Sequence, residues 1–216
     1  MRIILASKSP RRREILSKFF SKYEIIVEAI DESVPEGMHP REAVELLAVK
    51  KGMAVAGSQR LACEGEVVLG ISAESMAGDL LLQRAKTGDA DIIISSDTLV
   101  ELDGCPLGKP TSEGNAVDML LSLSGRAHNV HTGVSVYRDG KIYSGVASSA
   151  VRFKTVTPEE ALEYVRTGEP MDKAGAYAIQ GIGGKFIEGY DGDFDTIVGL
   201  SQKLLEKLLS EALENE

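Results

Sequence analysis

Long apolar runs are missing from this chain, and so is any excess of positive charge. Its longest apolar stretches fall well short of the roughly 20 residues that a membrane-crossing helix needs. Lysine and arginine number 24 against 33 aspartate and glutamate, a formal net charge of -9. A surface of that sign repels nucleic acid and anionic membrane, so a phosphate site must be a local basic patch working against the overall field. Cysteine is scarce too. Cys63 and Cys105, far apart, make no CxxC pair, zinc spacing or disulfide framework, as expected of a chain kept in a reducing cytoplasm. There is no internal repeat, no low-complexity linker and no glycine pattern of a Walker loop. In the opening MRIILASKSPRRR the apolar run is too short for a signal peptide, and its charges follow that run instead of preceding it. It reads as a buried first strand of a cytoplasmic protein.

What remains is ordinary globular material: 216 residues, 43% hydrophobic and 26% charged. That is the size of one compact α/β domain or two small lobes. Residues 2–6 form an apolar strand ending in Ser7-Lys8-Ser9-Pro10, where Ser9 is a good helix cap and Pro10 a good first helical residue. The spacing of Ile15, Leu16, Phe19 and Phe20 predicts a helix after it. A second strand is expected over 23–29 and a helix over 40–56, then a short strand over 67–71 and a helix over 72–85. Ile92–Ile94 reads as a buried strand core ending in Ser95-Ser96-Asp97-Thr98, followed by a hairpin about Asp103-Gly104. A helix over 112–123 precedes strands over 129–137 and 141–153, joined by Asp139-Gly140. Thr157-Pro158-Glu159-Glu160 opens another helix with a capping box, a glycine-rich stretch covers 175–187, and a last helix runs over 197–213. Strands alternate with helices but include hairpins, which predicts an α/β fold with a mixed sheet flanked by helices.

Four segments could carry chemistry. Ser7-Lys8-Ser9-Pro10-Arg11-Arg12-Arg13 places serines and arginines at a helix N-terminus, where backbone N–H groups and guanidinium forks suit an anion. Arginine there opposes the helix dipole, a locally unfavourable choice that hints at function; solvated charges on a capped helix are the plain alternative. Asp97 closes a buried strand, the place where open α/β sheets put ligands. With Asp31-Glu32 it could hold a metal or orient a water, though an aspartate at a strand end also simply makes turns. Lys109, confined between Gly108 and Pro110, could face a phosphate, as could Lys50 or Lys51; exposed lysines are the plain reading of each. The small residues from Asp172 to Gly181 permit close backbone approach to a ligand, or a tightly packed hairpin. His128 and His131, three apart in a strand, point to opposite faces and are not expected to share a metal, and His39 is expected to be solvated in a loop.

In order, Leu5-Ala6-Ser7-Lys8-Ser9-Pro10-Arg11-Arg12, Asp31-Glu32, Lys51, Ser96-Asp97-Thr98, Leu107-Gly108-Lys109-Pro110, Leu123-Ser124-Gly125 with His128 and Thr132-Gly133, and Asp172-Lys173-Ala174-Gly175 through Gln180-Gly181 resemble the Maf family of nucleotide pyrophosphatases. The resemblance spans nearly the whole chain. It implies a single Maf-like domain over 1–216, with an elongated mixed sheet and a nucleotide cleft between two lobes, related to the ITPase-like fold. It implies hydrolysis of a nucleoside triphosphate to the monophosphate and pyrophosphate with a divalent metal, Mg or Mn. By the same carry-over Asp97 activates water, Glu32 and Asp97 hold the metal, and Lys51 and Lys109 bind phosphates with Ser7, Ser9 and Arg11. Arg12, Thr98 and Gln180 match the subgroup acting on dTTP and UTP, and Lys173 joins the substrate-binding set. A homodimer is implied as well. A nucleotide-binding regulator of cell division without essential turnover is the alternative, which the intact Asp97 and Glu32 disfavour. One departure is an unusually long connection at about 57–91.

Overall fold

The computed structural model describes residues 2–59, 67–68 and 91–214. Its elements are β1 (Ile3–Leu5), α1 (Pro10–Leu16), β2 (Glu24–Ile25), α2 (Pro40–Ser58), β3 (Val67–Val68), β4 (Ile92–Leu102), β5 (Cys105–Leu107), α3 (Glu113–Leu123), β6 (Ala127–Arg138), β7 (Lys141–Phe153), α4 (Pro158–Val165), β8 (Ile187–Asp191), α5 (Phe194–Val198) and α6 (Gln202–Glu214). Three 3-10 turns, Glu169–Asp172, Ala174–Ala176 and Ile182–Phe186, lie between α4 and β8. The helix expected over 72–85 and most of the long connection fall outside the described residues.

The expected mixed α/β architecture is present, in two compact units. The first comprises residues 1–97, 132–147 and 199–216. Its strands lie in the order β2-β1-β4-β6-β7-β3. β1 runs parallel to both β2 and β4, with Ile3, Ile4 and Leu5 opposite Ile92, Ile93 and Ile94. Both strands of that central pair are buried, which is why they read as unbroken apolar runs. Ile4, Leu46, Val49, Val55, Ile93, Tyr137 and Ile142 form a core between α2 and the sheet. Each fully buried side chain of this size contributes about 1.5–3 kcal/mol of burial free energy.

The second unit comprises residues 98–131 and 148–198. Here β5 pairs antiparallel with the end of β4, and β8 with the end of β7. Leu120, Leu123, Val130, Phe153, Tyr164, Tyr177 and Phe186 are in its core. Phe153 packs edge-on against Tyr177 with ring centroids 4.8 Å apart. α4 starts as its sequence predicts, with Thr157 and Glu160 closing a reciprocal capping box.

Several elements differ from their expected extents. α1 stops at Leu16, and Phe19 and Phe20 lie in turns whose N–H groups donate to the Leu16 carbonyl. The second strand shrinks to two residues, Glu24 and Ile25 opposite Ile4 and Leu5, and the Ile26 N–H makes the last bond to β1, at the Leu5 carbonyl. The strand at Ile92 does not end at Ser95 but continues to Leu102, with 95 and 96 buried and 97–99 half-buried. The last helix is split in two by Gly199, whose φ of +119° no helix accommodates. The glycine-rich stretch forms 3-10 turns, not a hairpin. His39 caps α2, its Nδ1 accepting from the Arg41 N–H at 3.2 Å.

Candidate active site

Asp97 is the sixth residue of β4, on the unit of residues 1–97, 132–147 and 199–216. Its carboxylate pairs through Oδ1 with Lys51 Nζ, and the same ammonium lies 3.0 Å from Glu32 Oε1. One lysine thus gathers both acids that the sequence had placed apart. The three side chains grade from the interior to solvent, with 14% exposure for Asp97, 20% for Lys51 and 61% for Glu32. Glu32 is brought there by its loop. Lys50 Nζ donates to the carbonyls of Asp31 at 3.2 Å and Ser33 at 2.8 Å. Asp31 folds the loop on itself, accepting from the Ser33 hydroxyl at 2.6 Å and N–H at 2.9 Å, and these bonds hold its carboxyl below the usual range. The adjacent lysines of α2 therefore divide the work, Lys50 holding the loop backbone and Lys51 the carboxylates.

The serine-arginine loop adjoins the same strand. Ser9 caps α1 as expected, and its own N–H donates to Ser7 Oγ at 3.2 Å. Arg12 reaches from α1 to β4 and to Gly199. Its Nη1 donates to the Ser96 carbonyl at 2.6 Å and to Ser7 Oγ at 3.4 Å, and its Nε to the Gly199 carbonyl at 2.8 Å. The Ser96 hydroxyl donates to that same Gly199 carbonyl at 2.8 Å. Burial lowers the Arg12 guanidinium from its ordinary value, while the charge of Asp97 acts the other way. Arg12 thus ties three segments around Asp97. Ser96 entered the sequence reading only within Ser96-Asp97-Thr98 and Gly199 not at all, because backbone carbonyls carry no type-specific signal. Arg11 sits half-buried beside this knot in the first turn of α1.

The remaining motifs lie on the other unit. Thr98 is half-buried in β4, and Lys109 is exposed between Gly108 and the buried Pro110. The Gly175 N–H donates to the Gly108 carbonyl at 3.0 Å, so the Lys109 loop and the segment of Lys173 are joined. Gly175 has φ +66°, and an added Cβ would meet Val100 Cγ2 at 2.9 Å, so glycine is required on both counts. Lys173 pairs with the neighbouring Asp172. Gln180 is exposed in a turn. That turn is braced from below by Glu169, which accepts from the N–H groups of Ile182 at 3.1 Å and Gly183 at 3.0 Å and from the Tyr164 hydroxyl at 2.7 Å.

The two histidines have separate partners, as their opposite strand faces predict. His131 lies with Nε2 2.7 Å from Glu101 and Nδ1 2.7 Å from Ser148 Oγ. His128 Nε2 lies 2.8 Å from the Tyr177 hydroxyl. Burial pushes the His128 imidazole down to about 4 and the Tyr177 phenol far up. Among the described residues no group of three or more histidine, cysteine or acidic side chains is arranged to hold a metal ion by itself. No helix among them is long and apolar enough to cross a membrane.

Comparison with known proteins places the chain in a family. The family model described as Maf-like protein matches residues 2–212. The dTTP/UTP pyrophosphatase of Moorella thermoacetica is 40% identical over 211 residues, covering 97% of this chain and 94% of that protein. The protein of the same name from Clostridioides difficile is 40% identical over 212 residues, again with 97% and 94% coverage. That of Thermococcus gammatolerans is 37% identical over 206 residues, with 95% and 94% coverage. From its ordered motifs and from these matches along nearly its whole length, the chain belongs to the Maf family.

Proposed function

We propose that this protein is a nucleoside triphosphate pyrophosphatase that hydrolyses dTTP and UTP between the α and β phosphates. The observation that carries the reading is the Glu32–Lys51–Asp97 constellation beside the Ser7–Arg12 loop. The names of the full-length relatives support the substrate pair. A pure nucleotide binder needs cations for phosphate but has no use for a half-buried acid on a strand.

In this reaction a water oxygen attacks Pα, the bond from Pα to the bridging oxygen of the β phosphate breaks, and pyrophosphate leaves. Asp97 takes the proton of the attacking water, as a general base within hydrogen-bond reach of it. Such a displacement needs positioning and charge neutralisation above all. Lys51 holds the Asp97 carboxylate in place, and with Lys109, Ser7, Ser9, Arg11 and Lys173 it binds the triphosphate. Arg12, Thr98 and Gln180 select the base. A uracil or thymine edge offers two carbonyl acceptors and one N–H donor, which arginine and glutamine side chains can match.

A divalent cation fits the donor set. Glu32 and Asp97 already converge on one positive charge, the Lys51 ammonium. Magnesium is commonly held by one or two carboxylates together with substrate phosphates. Glu32 and Asp97 would hold Mg or Mn, which supplies neutralisation of the phosphate charge when bound. A homodimer in the cytoplasm completes the proposal, on family resemblance.

The test is a nucleotide panel with magnesium and with manganese, separating products by chromatography. UTP and dTTP are expected to give the monophosphate and pyrophosphate. UDP with free phosphate would move the cut site, and tight UTP binding without product would favour the regulator.

A further inference from the structure

Two residues before Asp97, the fully buried Ser95 donates its hydroxyl to the Ala48 carbonyl of α2 at 2.6 Å. Residues i and i+2 of a strand share a face, so Ser95 and Asp97 both point at this helix. Ala48 and Lys51, three apart, share one face of it. The same two elements are therefore tied twice, by Ser95 to Ala48 and by Asp97 to Lys51. The first tie lies about 4.5 Å back along the helix from the second, at 1.5 Å per residue.

The approach is close because side chains have been removed from it. A Cβ on Gly52 would sit 2.9 Å from Ser95 Oγ and 3.5 Å from Ser135 Oγ. About two turns nearer the start of α2, a Cβ on Gly133 of β6 would lie 2.7 Å from the Val44 carbonyl carbon. Val44, Ala48 and Gly52, four residues apart, form one row pressed onto the sheet. The Ser135 hydroxyl is buried in the same place, yet it has no hydrogen-bond partner among the described residues. Of the two hydroxyls facing Gly52, Ser95 alone bonds the helix backbone.

We propose that Ser95 is a positioning residue for the Lys51–Asp97 pair: its hydroxyl bonds the α2 backbone one turn before Lys51 and sets the lysine stem against the carboxylate. Ser95 touches no substrate and acts through Lys51. The kinetic consequence rests on the pyrophosphatase reading above; the structural consequence does not.

The experiment compares Ser95→Ala, Ser135→Ala, Lys51→Met and the Ser95→Ala/Lys51→Met double variant. Ser95→Ala should lower kcat on UTP about tenfold, less than the ~10²-fold that a 1 Å misplacement can bring, with KM changed by no more than about twofold. Ser135→Ala, in the same pocket, should leave both unchanged. In the Lys51→Met background Ser95→Ala should bring no further loss, since the group it positions is gone. Melting of the ligand-free proteins is the second readout, and the shift from Ser95→Ala should be smaller once Lys51 is replaced. Equal kinetic losses in both backgrounds, or additive melting shifts, would overturn the proposal. A wild-type protein that releases no pyrophosphate from UTP but shows coupled melting would retain Ser95 as a positioning residue and sink the enzymatic reading instead.

Discussion

A single ammonium, that of Lys51, decides how the acids of this protein can act. It lies between Glu32 and Asp97, and the carboxylate nearer the interior is the one on the rigid strand. On the proposed reading, a group that holds a water in line with Pα gains from that rigidity, whereas Glu32, on a loop and 61% exposed, would join substrate and cation as they arrive. Replacing Asp97 by Asn keeps the size and removes the proposed base. Turnover on UTP should fall by at least ~10²-fold, the lower range for a lost general base, while the circular dichroism spectrum and melting cooperativity persist. Turnover close to wild type would move the base to Glu32. Arg12 shows a different lesson at the same scale. The family resemblance implied that it contacts the nucleotide base, and its Nε and Nη1 donors meet Gly199, Ser96 and Ser7. Any part it takes in base choice comes together with holding the middle of β4 at Ser96.

The element on which these residues depend is α2. Residues 43–49 are all buried, so the helix is covered on more than its sheet side, and on that side it lies flat and close. Flatness requires small residues where backbones meet. Gly133→Ala places a Cβ against the Val44 carbonyl and the Glu45 N–H, backbone atoms that cannot rotate aside. The loss should reach or exceed the ~1–3 kcal/mol usual for overpacking, read as a lower urea midpoint at unchanged m-value. Gly145→Ala is the informative contrast. Its Cβ would meet the Leu204 Cδ1 at 3.1 Å, the end of a flexible side chain that can yield. Equal losses for the two variants would show that α2 is free to lift from β6.

Over the whole molecule, stability should depend on acid through a buried imidazole as well as through carboxylates. His128 is 4% exposed, and burial lowers its value from 6.5 to about 4. The unfolded chain therefore binds this proton more readily than the native protein. The contribution of the neutral histidine is complete above pH 6.5 and is lost as pH falls towards 4, by about 3 kcal/mol at most on linkage arithmetic. Urea unfolding at several pH values should show this slope in the wild type and a shallower one in His128→Gln. Identical slopes would place the dependence on other groups. The Arg2–Asp91 pair adds no slope in that range, since its contribution is lost only as pH falls below the ordinary carboxylate value of 3.8. Burial raises the Asp91 carboxyl, but hydrogen bonds from Arg2 at 2.6–2.9 Å outweigh that and hold it below its usual value.

Local chemistry by itself determined where helices start and what runs through the sheet. Ser9-Pro10, Ser112 and Thr157 cap their helices from side chains within three residues, and the apolar runs at Ile3–Leu5 and Ile92–Ile94 pair because no polar face interrupts them. The order of the motifs likewise named the family. Ends of elements were less legible. β4 carries Ser95, Ser96 and Asp97 in its middle, residues that read as a strand end until α2, Arg12 and Gly199 supply their partners. Only tertiary structure decided that Lys51, not Lys50, meets the acids, and that Glu32, 65 positions from Asp97, shares its cation. Side-chain direction on α2 and the packing of that helix on Gly133 set those contacts, and neither is a property of sequence neighbours.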